Sequence, residues 1–600
     1  MKYIDIFNRS MFALLISVLT AVSCDLLDRP PLDRIGNDSY WKTQTDFENY
    51  TLQFYPKLPA FGSGVAQYTG IFGYDAFHGS DHAIAGTEAN NVLHGTKVLG
   101  ATNSSWNWSD IRAVNIFFEN LKDTQVAFND IKHFVGEAHF FKAWFYFEKV
   151  KNFGDVPWFT DPLYMDSEEL YKSRDPRNEV VDSILLHLDK AIEYLHPLSE
   201  LGSMGGTNRL SKEAALVFKS RVALYEGTWE KYHNGTPFGV ENADWNKYFR
   251  AAADAAEELM SGKYSVGIYN TSKPDEDYAY IFSQEDFSDV NEIILWKKYD
   301  VGLDLGNQFQ PFVSSFTATI SLTDNLVRNY LDKNGNPIDY DGLLKSYTGN
   351  SFLTEIASQA DPRLSQTIWI PGQLLSDNQY NIDGRPKYFE HPNLRSEANG
   401  FNGTGFQMKK GVNPYSETAG GPTTTKGATG AVIFRYAEAL LNYAEAKAEL
   451  GETVDYDKSL NLLRKRAGMP DFDKDLDDAS RKYYADFGYT LSNELYEIRR
   501  ERAVELATEG FRTDDWHRWA AHKLFSGKRP KGYPIEPSEW LDAEGNVTVT
   551  TPRDENGLLD PLQNAMPQGY NFDPDRDYLD FIPLNERTLN PALTQNPGWE

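Results

Sequence analysis

Cysteine is nearly absent: Cys24 is the single one in 600 residues. An internal disulfide and a thiolate metal site are therefore excluded. Cations are scarce beside carboxylates, 59 Lys and Arg against 87 Asp and Glu, and the formal net charge of −28 would repel phosphate backbones and anionic lipid headgroups. Nucleic acid is not an expected partner. Long apolar runs are also lacking. The run at 11–22, MFALLISVLTAV, falls well short of the roughly 20 residues that cross a bilayer as a helix. HExxH, GxSxG and P-loop motifs do not occur, and Gly62-Ser-Gly64-Val-Ala-Gln67 lacks the third glycine of a dinucleotide fingerprint. Nucleophile and nucleotide chemistries lose their signatures with them.

What is present begins at the N-terminus. Lys2 and Arg9 precede the apolar run, and Ser23 and Cys24 follow it, the layout of an export signal. Ala21-Val22-Ser23-Cys24 resembles a bacterial lipobox, in which the chain is cut before a diacylated cysteine. The expected organisation is a lipoprotein signal peptide at 1–23, lipid attachment at Cys24 and a polar, Pro-rich tether over 24–39. Each buried acyl CH₂ contributes about 0.8 kcal/mol, so several chains on one cysteine hold a protein firmly.

Folding is expected to begin near Tyr40, and 41% hydrophobic residues suffice to bury more than one sizeable core. Apolar residues recur at three- and four-residue spacing over 47–58, 110–121, 135–152, 179–195, 212–232, 245–261, 431–450, 456–467 and 493–508, which predicts helices there. In 431–450, Ile433, Ala437, Leu440, Leu441, Ala444 and Ala448 form one stripe, with alanines that admit a close partner helix. The helix starts at Lys212 and Trp245 lie 33 residues apart, near the roughly 34 of tetratricopeptide hairpins. Degenerate helical-hairpin repeats are thus predicted over about 110–261 and 431–519. Two stretches lack a helical period. One, 60–105, is rich in Gly, Asn, Thr and aromatics. The other, 265–430, holds β-like runs such as 292–297 and turn clusters such as Asp332-Lys-Asn-Gly-Asn-Pro337. Asp542-Ala-Glu-Gly-Asn546 is another turn cluster, ahead of a β-like run at 547–551. These segments are interleaved with the helices, so 40–600 reads as one domain.

Carboxylates close in sequence, such as Glu505, Glu509, Asp514 and Asp515, are what 87 acidic residues produce by chance and do not mark a glycosidase pair. Asp332, Asn334 and Asn336 share the first spacings of a calcium loop, but Pro337 replaces the needed glycine and Leu343 the bidentate glutamate, so the segment reads as a β-turn. Asp573, Asp575 and Asp577 share the spacing and its weakness. No cofactor is implied, and a structural calcium held by oxygens remote in sequence stays open. The aromatics are more informative. Tyr68, Phe72, Tyr74, Phe77, His78, Trp106 and Trp108 stand among Gly, Asn, Asp and Ser, a mixture that suits sugar faces and sugar hydroxyls together. The same rings would also serve to pin a long loop to the body, and Trp108, which opens an apolar helix, is read that way.

Blocks along nearly the whole chain resemble one family. Cys24-Asp-Leu-Leu-Asp28 with Pro30 comes first, then Tyr40-Trp41-Lys-Thr43 with Asp46, Ile111-Arg-Ala-Val-Asn115, Gly136-Glu-Ala-His-Phe-Phe-Lys-Ala143 and Phe153-Gly-Asp-Val-Pro157. Asp361-Pro-Arg-Leu364, Phe434-Arg-Tyr-Ala-Glu-Ala-Leu-Leu441, Leu463-Arg-Lys-Arg-Ala-Gly-Met-Pro470 and Glu501-Arg-Ala-Val-Glu-Leu506 follow, leading to Glu509-Gly-Phe-Arg512 and Arg518-Trp519. Ile582-Pro583, Asn590-Pro591 and Gln595-Asn-Pro-Gly598 close the series. In this order the blocks resemble the SusD/RagB family of outer-membrane nutrient-binding lipoproteins of Bacteroidota. One block departs: Asp514, Asp515, Trp516 and His517 replace a more apolar stretch, a change expected to touch packing more than function.

The resemblance implies a mainly α-helical fold in which tetratricopeptide-like hairpins scaffold a loop-rich ligand face with short β-hairpins. It implies a surface-exposed protein, lipid-anchored in the outer membrane, that binds a glycan without catalysis and delivers it to a SusC-like TonB-dependent transporter. Peptide binding, as in RagB-like members, is the second reading; a surface glycoside hydrolase and a lid without ligand affinity are others. Arg435, Glu438, Arg499, Glu501 and Arg512 read as ion pairs within and between helices. For ligand contact, Tyr74, Phe77 and Trp106 are expected to stack on sugar, and Asp75 and Asp81 to accept hydrogen bonds from hydroxyls. Phe309 and Tyr347 are expected to join them from the second loop-rich region. On this expectation Trp106→Ala weakens glycan binding without lowering thermal stability.

Overall fold

The computed structural model describes residues 40–61, 70–86, 89–315, 320–377, 385–394, 402–420 and 426–600. The expected signal segment, Cys24 with its tether, and Tyr68 lie outside the described residues. Thr43 opens helix α1 (Gln44–Leu52) with a reciprocal cap: its hydroxyl accepts from the Asp46 N–H, and Asp46 Oδ2 accepts from the Thr43 N–H at 2.7 Å. The helix predicted over 47–58 therefore starts earlier. It also ends sooner, giving way to a 3-10 turn at Tyr55–Lys57, where Pro56 has no N–H to continue an α-helical ladder. The stretch read as irregular over 60–105 holds two short elements, α2 (Tyr74–His78) and β1 (Ala83–Ala85).

Helices α3 (Ser109–Leu121), α4 (Phe128–Phe153), α5 (Arg177–Tyr194), α6 (Lys212–Tyr232) and α7 (Trp245–Met260) follow where the periodicity places them. α4 starts well before residue 135: Phe128 and buried Ile131 extend the apolar spacing toward the N-terminus, ahead of Phe134 and Val135. Past its first turn it is apolar on almost every face, as a helix sheathed by neighbours must be. α6 and α7 pack as a close hairpin: a Cβ on Gly227 would meet the Phe249 ring at 2.8 Å. Ser211 caps α6 by accepting from the Ala214 N–H at 3.1 Å.

The loop-rich part contributes β2 (Ile293–Lys297), α8 (Phe309–Ser315), β3 (Ile320–Leu322) and β4 (Phe406–Gln407). β1, β3 and β4 form a small antiparallel sheet, with Ala83 opposite Leu322 and Leu322 opposite Phe406. β2 pairs antiparallel with β5 (Ala431–Arg435), and only then does α9 (Tyr436–Glu449) begin. The prediction of helix from 431 is corrected here. Val432, Ile433 and Phe434 are β-formers, and the strand is buried on both faces, so it shows no alternation and its apolar residues merge with the helical stripe behind it. α10 (Leu460–Arg466), α11 (Asn493–Glu505) and α12 (Arg512–Arg518) complete the helices used below.

Two apolar clusters organise these elements. One joins the helices, from Phe47 and Phe117 through Phe140 and Phe218 to Leu440 and Trp516. The other gathers the loop-rich part around Phe72, Trp296, Phe309, Ile320 and Phe406. Where β2, β5, α10 and α11 meet, a buried ionic network ties the parts together. Arg435 donates to Glu505 at 2.7 Å, to Glu292 at 3.0 Å and to Glu509 at 2.7 Å, while Arg363 reaches Glu501 at 2.7 Å and Glu505 at 2.8 Å. Burial works to raise the Glu505 pKa, but the guanidinium groups of Arg466, Arg435 and Arg363 outweigh it and hold the group far below the carboxylate range. Glu438 takes a bidentate bond from Arg221, and Arg499 donates to Glu449 at 3.2 Å, so the expected ion pairs are present.

The turn clusters fold as read. Asp332 Oδ1 accepts from the N–H groups of Asn334 and Asn336, both at 2.8 Å. Asp542 Oδ1 does the same for Glu544 at 3.0 Å and Asn546 at 2.7 Å. The run at 547–551 makes an isolated bridge from Val547 to Leu541 rather than a strand. Among the described residues no helix is long and apolar enough to cross a membrane.

Candidate functional site

A cleft opens where α4, α6 and the start of α12 face the segment that enters α2. Trp144, Phe147, Glu148 and Lys151 of α4 lie three and four residues apart, which puts all four on one face. They line a cavity of about 340 Å³ with Tyr74, Phe218 and Arg221 of α6, and Phe511 and Asp514. A neighbouring cavity of about 220 Å³ shares Tyr74, Glu148, Lys151 and Asp514 with it and continues past His78, Asn152 and His517. Tyr74 is half-buried and stacks on His78 with ring centroids 3.8 Å apart and planes 12° from parallel.

The charged groups of the cleft are ion-paired, with two carboxylates to one ammonium at Lys151. Lys151 Nζ lies 3.0 Å from Asp514 Oδ2 and 3.0 Å from Glu148 Oε1. Burial disfavours the Lys151 ammonium, but Asp514 and Glu148 outweigh it and hold its pKa above the ordinary lysine value. Arg221 is committed to Glu438 at 2.6 and 2.7 Å and lies between the rings of Phe434 and Phe511, 4.8 and 4.9 Å away. Burial pushes the His517 imidazole down to about 4 and lowers that of His78, so both rings are neutral at pH 7. The site thus presents the half-buried Tyr74 ring beside ion-paired polar groups, with the rings of Trp144, Phe147, Phe218 and Phe511 buried in its wall. Among the described residues no cluster of three or more His, Asp or Glu side chains is arranged to hold a metal ion.

Of the residues expected at a ligand face, only Tyr74 lines this cleft. Asp75 is buried, and its Oδ1 accepts from both the N–H and the hydroxyl of Thr513 at 3.0 Å. Asp81 is buried as well and takes a bidentate bond from Arg512 at 2.7 and 2.8 Å, so neither carboxylate is presented to a hydroxyl here. Trp106 packs edge-on to Trp108 at 5.2 Å and to Phe153 at 4.8 Å within the helical core. Phe309 has no exposed surface and stacks on Phe61 at 4.2 Å. Phe77 is half-buried near Asn90, which donates to its carbonyl at 3.2 Å, and Tyr347 packs half-buried against the second apolar cluster. Burial explains the corrections at Asp75, Asp81, Trp106 and Phe309, whereas Phe77 and Tyr347 are half-buried and lie outside the lining of this cleft.

Trp144, Phe147, Glu148, Lys151, Phe511 and Asp514 are cleft residues that sequence reasoning misses as ligand contacts. Their signal is the one-face spacing on α4 and the departure at Asp514, which faces the cleft while Asp515 beside it is clamped by Arg502 at 2.9 Å. The departure thus reaches the site as well as the packing.

Comparison with known proteins places this geometry in context. The profile of the SusD family matches residues 291–599, and a second, described as starch-binding associating with outer membrane, matches 37–224. SusD-like protein P38 of Formosa agariphila is 22% identical over 477 residues, which cover 76% of this chain and 82% of that protein. A SusD-like protein of Bacteroides fragilis superposes with a TM-score of 0.68 at 22% identity, covering 95% of this chain and 100% of its own. A SusD-like carbohydrate-binding protein of the same organism gives 0.66 at 20% identity over 92% of this chain and 99% of its own. A laminarin-binding SusD-like protein gives 0.54 at 19% identity over 93% of this chain and 100% of its own. The mainly helical fold with tetratricopeptide-like hairpins is the one these structures share.

Proposed function

Because the chain belongs to the SusD family, we propose that it is a lipid-anchored, surface-exposed protein of the outer membrane that binds a glycan without cleaving it and passes it to a SusC-like TonB-dependent transporter. The observation that carries the binding reading is the cleft at Tyr74, where the half-buried Tyr74 ring stands beside charged groups that already have partners. A ligand there gains by stacking and hydrogen bonding, which suits a saccharide. The descriptions of relatives as carbohydrate-binding and laminarin-binding support the same class of ligand. Glu148 and Asp514 both face Lys151, which supports binding over hydrolysis: a glycosidase needs a protonated carboxyl opposite a free carboxylate.

Titration calorimetry against a panel of plant, host and microbial oligosaccharides tests the reading, with cationic oligopeptides in parallel. Saturable heat with one glycan class is expected, and the glycan is recovered unchanged. Tyr74→Ala is expected to weaken that binding about tenfold, the loss of one stacking ring, with little change in melting temperature. Heat with peptides alone would replace this reading by peptide import. Shortened oligosaccharides after incubation would make the protein a hydrolase.

A further inference from the structure

A second cavity, of about 290 Å³, borders Ser80 and Asp81, a few residues beyond the Tyr74 cleft. Its charged lining is Arg328, Lys528, Arg529 and Lys531 against Asp81 and Asp324. Four cations to two carboxylates is the reverse of the chain's overall balance of 59 to 87. Both carboxylates are already engaged, Asp81 by Arg512 at 2.7 Å and Asp324 by Arg328 at 3.4 Å.

Of the cations, Lys528 and Arg328 are less fully matched. Arg529 and Lys531 are held by the buried carboxylate of Asp560, at 2.8 and 2.5 Å, and Arg529 also donates to the Pro567 carbonyl at 2.6 Å. Lys528 Nζ makes no hydrogen bond, and its nearest carboxylate, Asp486, is 3.6 Å away. Arg328 has two long ion pairs, 3.4 Å to Asp324 and 3.5 Å to Asp341. Its guanidinium is held instead by rings, 3.9 Å from the Tyr340 centroid and 5.3 Å from that of Tyr483, which is 45% exposed. A planar fork packed on aromatic rings with only long ion pairs, and an ammonium without a hydrogen bond in the lining of the same cavity, are suited to receive a planar or tetrahedral oxyanion.

We propose that this cavity takes the anionic substituent, a carboxylate or a sulfate ester, of an acidic saccharide. The proposal rests on the glycan-binding reading and narrows it to acidic polymers. Two matched pairs of oligosaccharide series test it by calorimetry on the purified protein: a uronic-acid series with its carboxyl-reduced counterpart, and a sulfated series with its desulfated counterpart. One acidic series is expected to bind at least tenfold more tightly than its neutral counterpart at low salt, with the advantage shrinking as ionic strength rises. Which series binds distinguishes carboxylate from sulfate. Lys528→Gln, at a partly exposed position, is expected to remove most of the preference while leaving the melting temperature and the affinity for the neutral counterpart unchanged. Lys531→Gln serves as a second variant. Equal affinity for acidic and neutral members overturns the proposal and leaves glycan binding standing, as does a preference that survives both substitutions. Silence with every saccharide overturns both readings.

Discussion

Trp106 lies inside the molecule, its indole edge-on to Trp108 and Phe153. Truncating a buried tryptophan costs about 3–5 kcal/mol through lost contacts and a residual cavity. Trp106→Ala is therefore expected to lower the thermal midpoint by several degrees and to leave the glycan affinity of the folded protein unchanged, the reverse of what its loop setting suggests. A variant with a normal midpoint and weakened binding would return Trp106 to the ligand face. Asp75 makes a second residue-scale case. Burial pushes its carboxyl up to about 6 from 3.8, against the two hydrogen bonds from Thr513 that favour the charged form, while Asp515 and Asp514 add to the rise. The folded state thus binds this proton more tightly than the unfolded chain, so the group's contribution is most favourable below pH 4 and declines as pH rises towards 6. Asp75→Asn keeps an acceptor for Thr513 and removes the titration. It is expected to match the wild type at pH 4 and to exceed it by on the order of 2 kcal/mol at pH 7 in chemical denaturation. A difference that does not change between those pH values would remove burial as the cause. Nothing in the local sequence separates these two residues from Tyr74, which faces the cleft, because exposure is set by what the rest of the chain places against each side chain.

The ionic network around Arg435 shows what elements decide. Arg435, Glu438, Arg499 and Glu501, charged residues in the family-like scaffold blocks, read from the sequence as members of ion pairs. Their partners are not legible there: Glu292, which faces Arg435, is 143 residues away, next to the strand that β5 pairs with. Removing one member of a buried network leaves the others uncompensated and costs about 3–5 kcal/mol. Arg435→Met takes one partner from each of Glu292, Glu505 and Glu509, which keep only Arg466, Arg363 and Lys410 among them, so its urea midpoint is expected to fall while the native far-ultraviolet spectrum is kept below that midpoint. An unchanged midpoint would mean the network sets geometry without adding stability. The boundary at 435 has the same origin. Val432, Ile433 and Phe434 carry an apolar pattern that fits a buried strand or a helix, and only pairing with Ile293–Lys297 settles it. α4 is plainest from residue 135 onward, where most side chains are buried, whereas in its first turn exposed Asn129 and Asp130 stand between Phe128 and buried Ile131 and dilute the period.

For the molecule as a whole, the proposed location depends on one atom, the thiol sulfur of Cys24. Cys24→Ser is expected to leave the protein in the soluble fraction of fractionated cells, whereas the unaltered chain sediments with membranes and incorporates labelled fatty acid. A serine variant that still sediments would require another means of attachment. The two cavities, at Tyr74 and at Arg328, both border the stretch from Tyr74 to Asp81, which the network at Arg512 and Thr513 holds against α12. Sequence by itself determined the helices, the turn clusters, the absence of nucleophile and nucleotide motifs, the lone cysteine and the family, because each is carried by spacing or composition within a few dozen residues. Tertiary structure alone decided which rings line the cleft and which are buried, which carboxylates are paired and which charged groups share a cavity. Those properties depend on contacts between residues hundreds of positions apart, such as Asp81 with Arg512, and no local period encodes them.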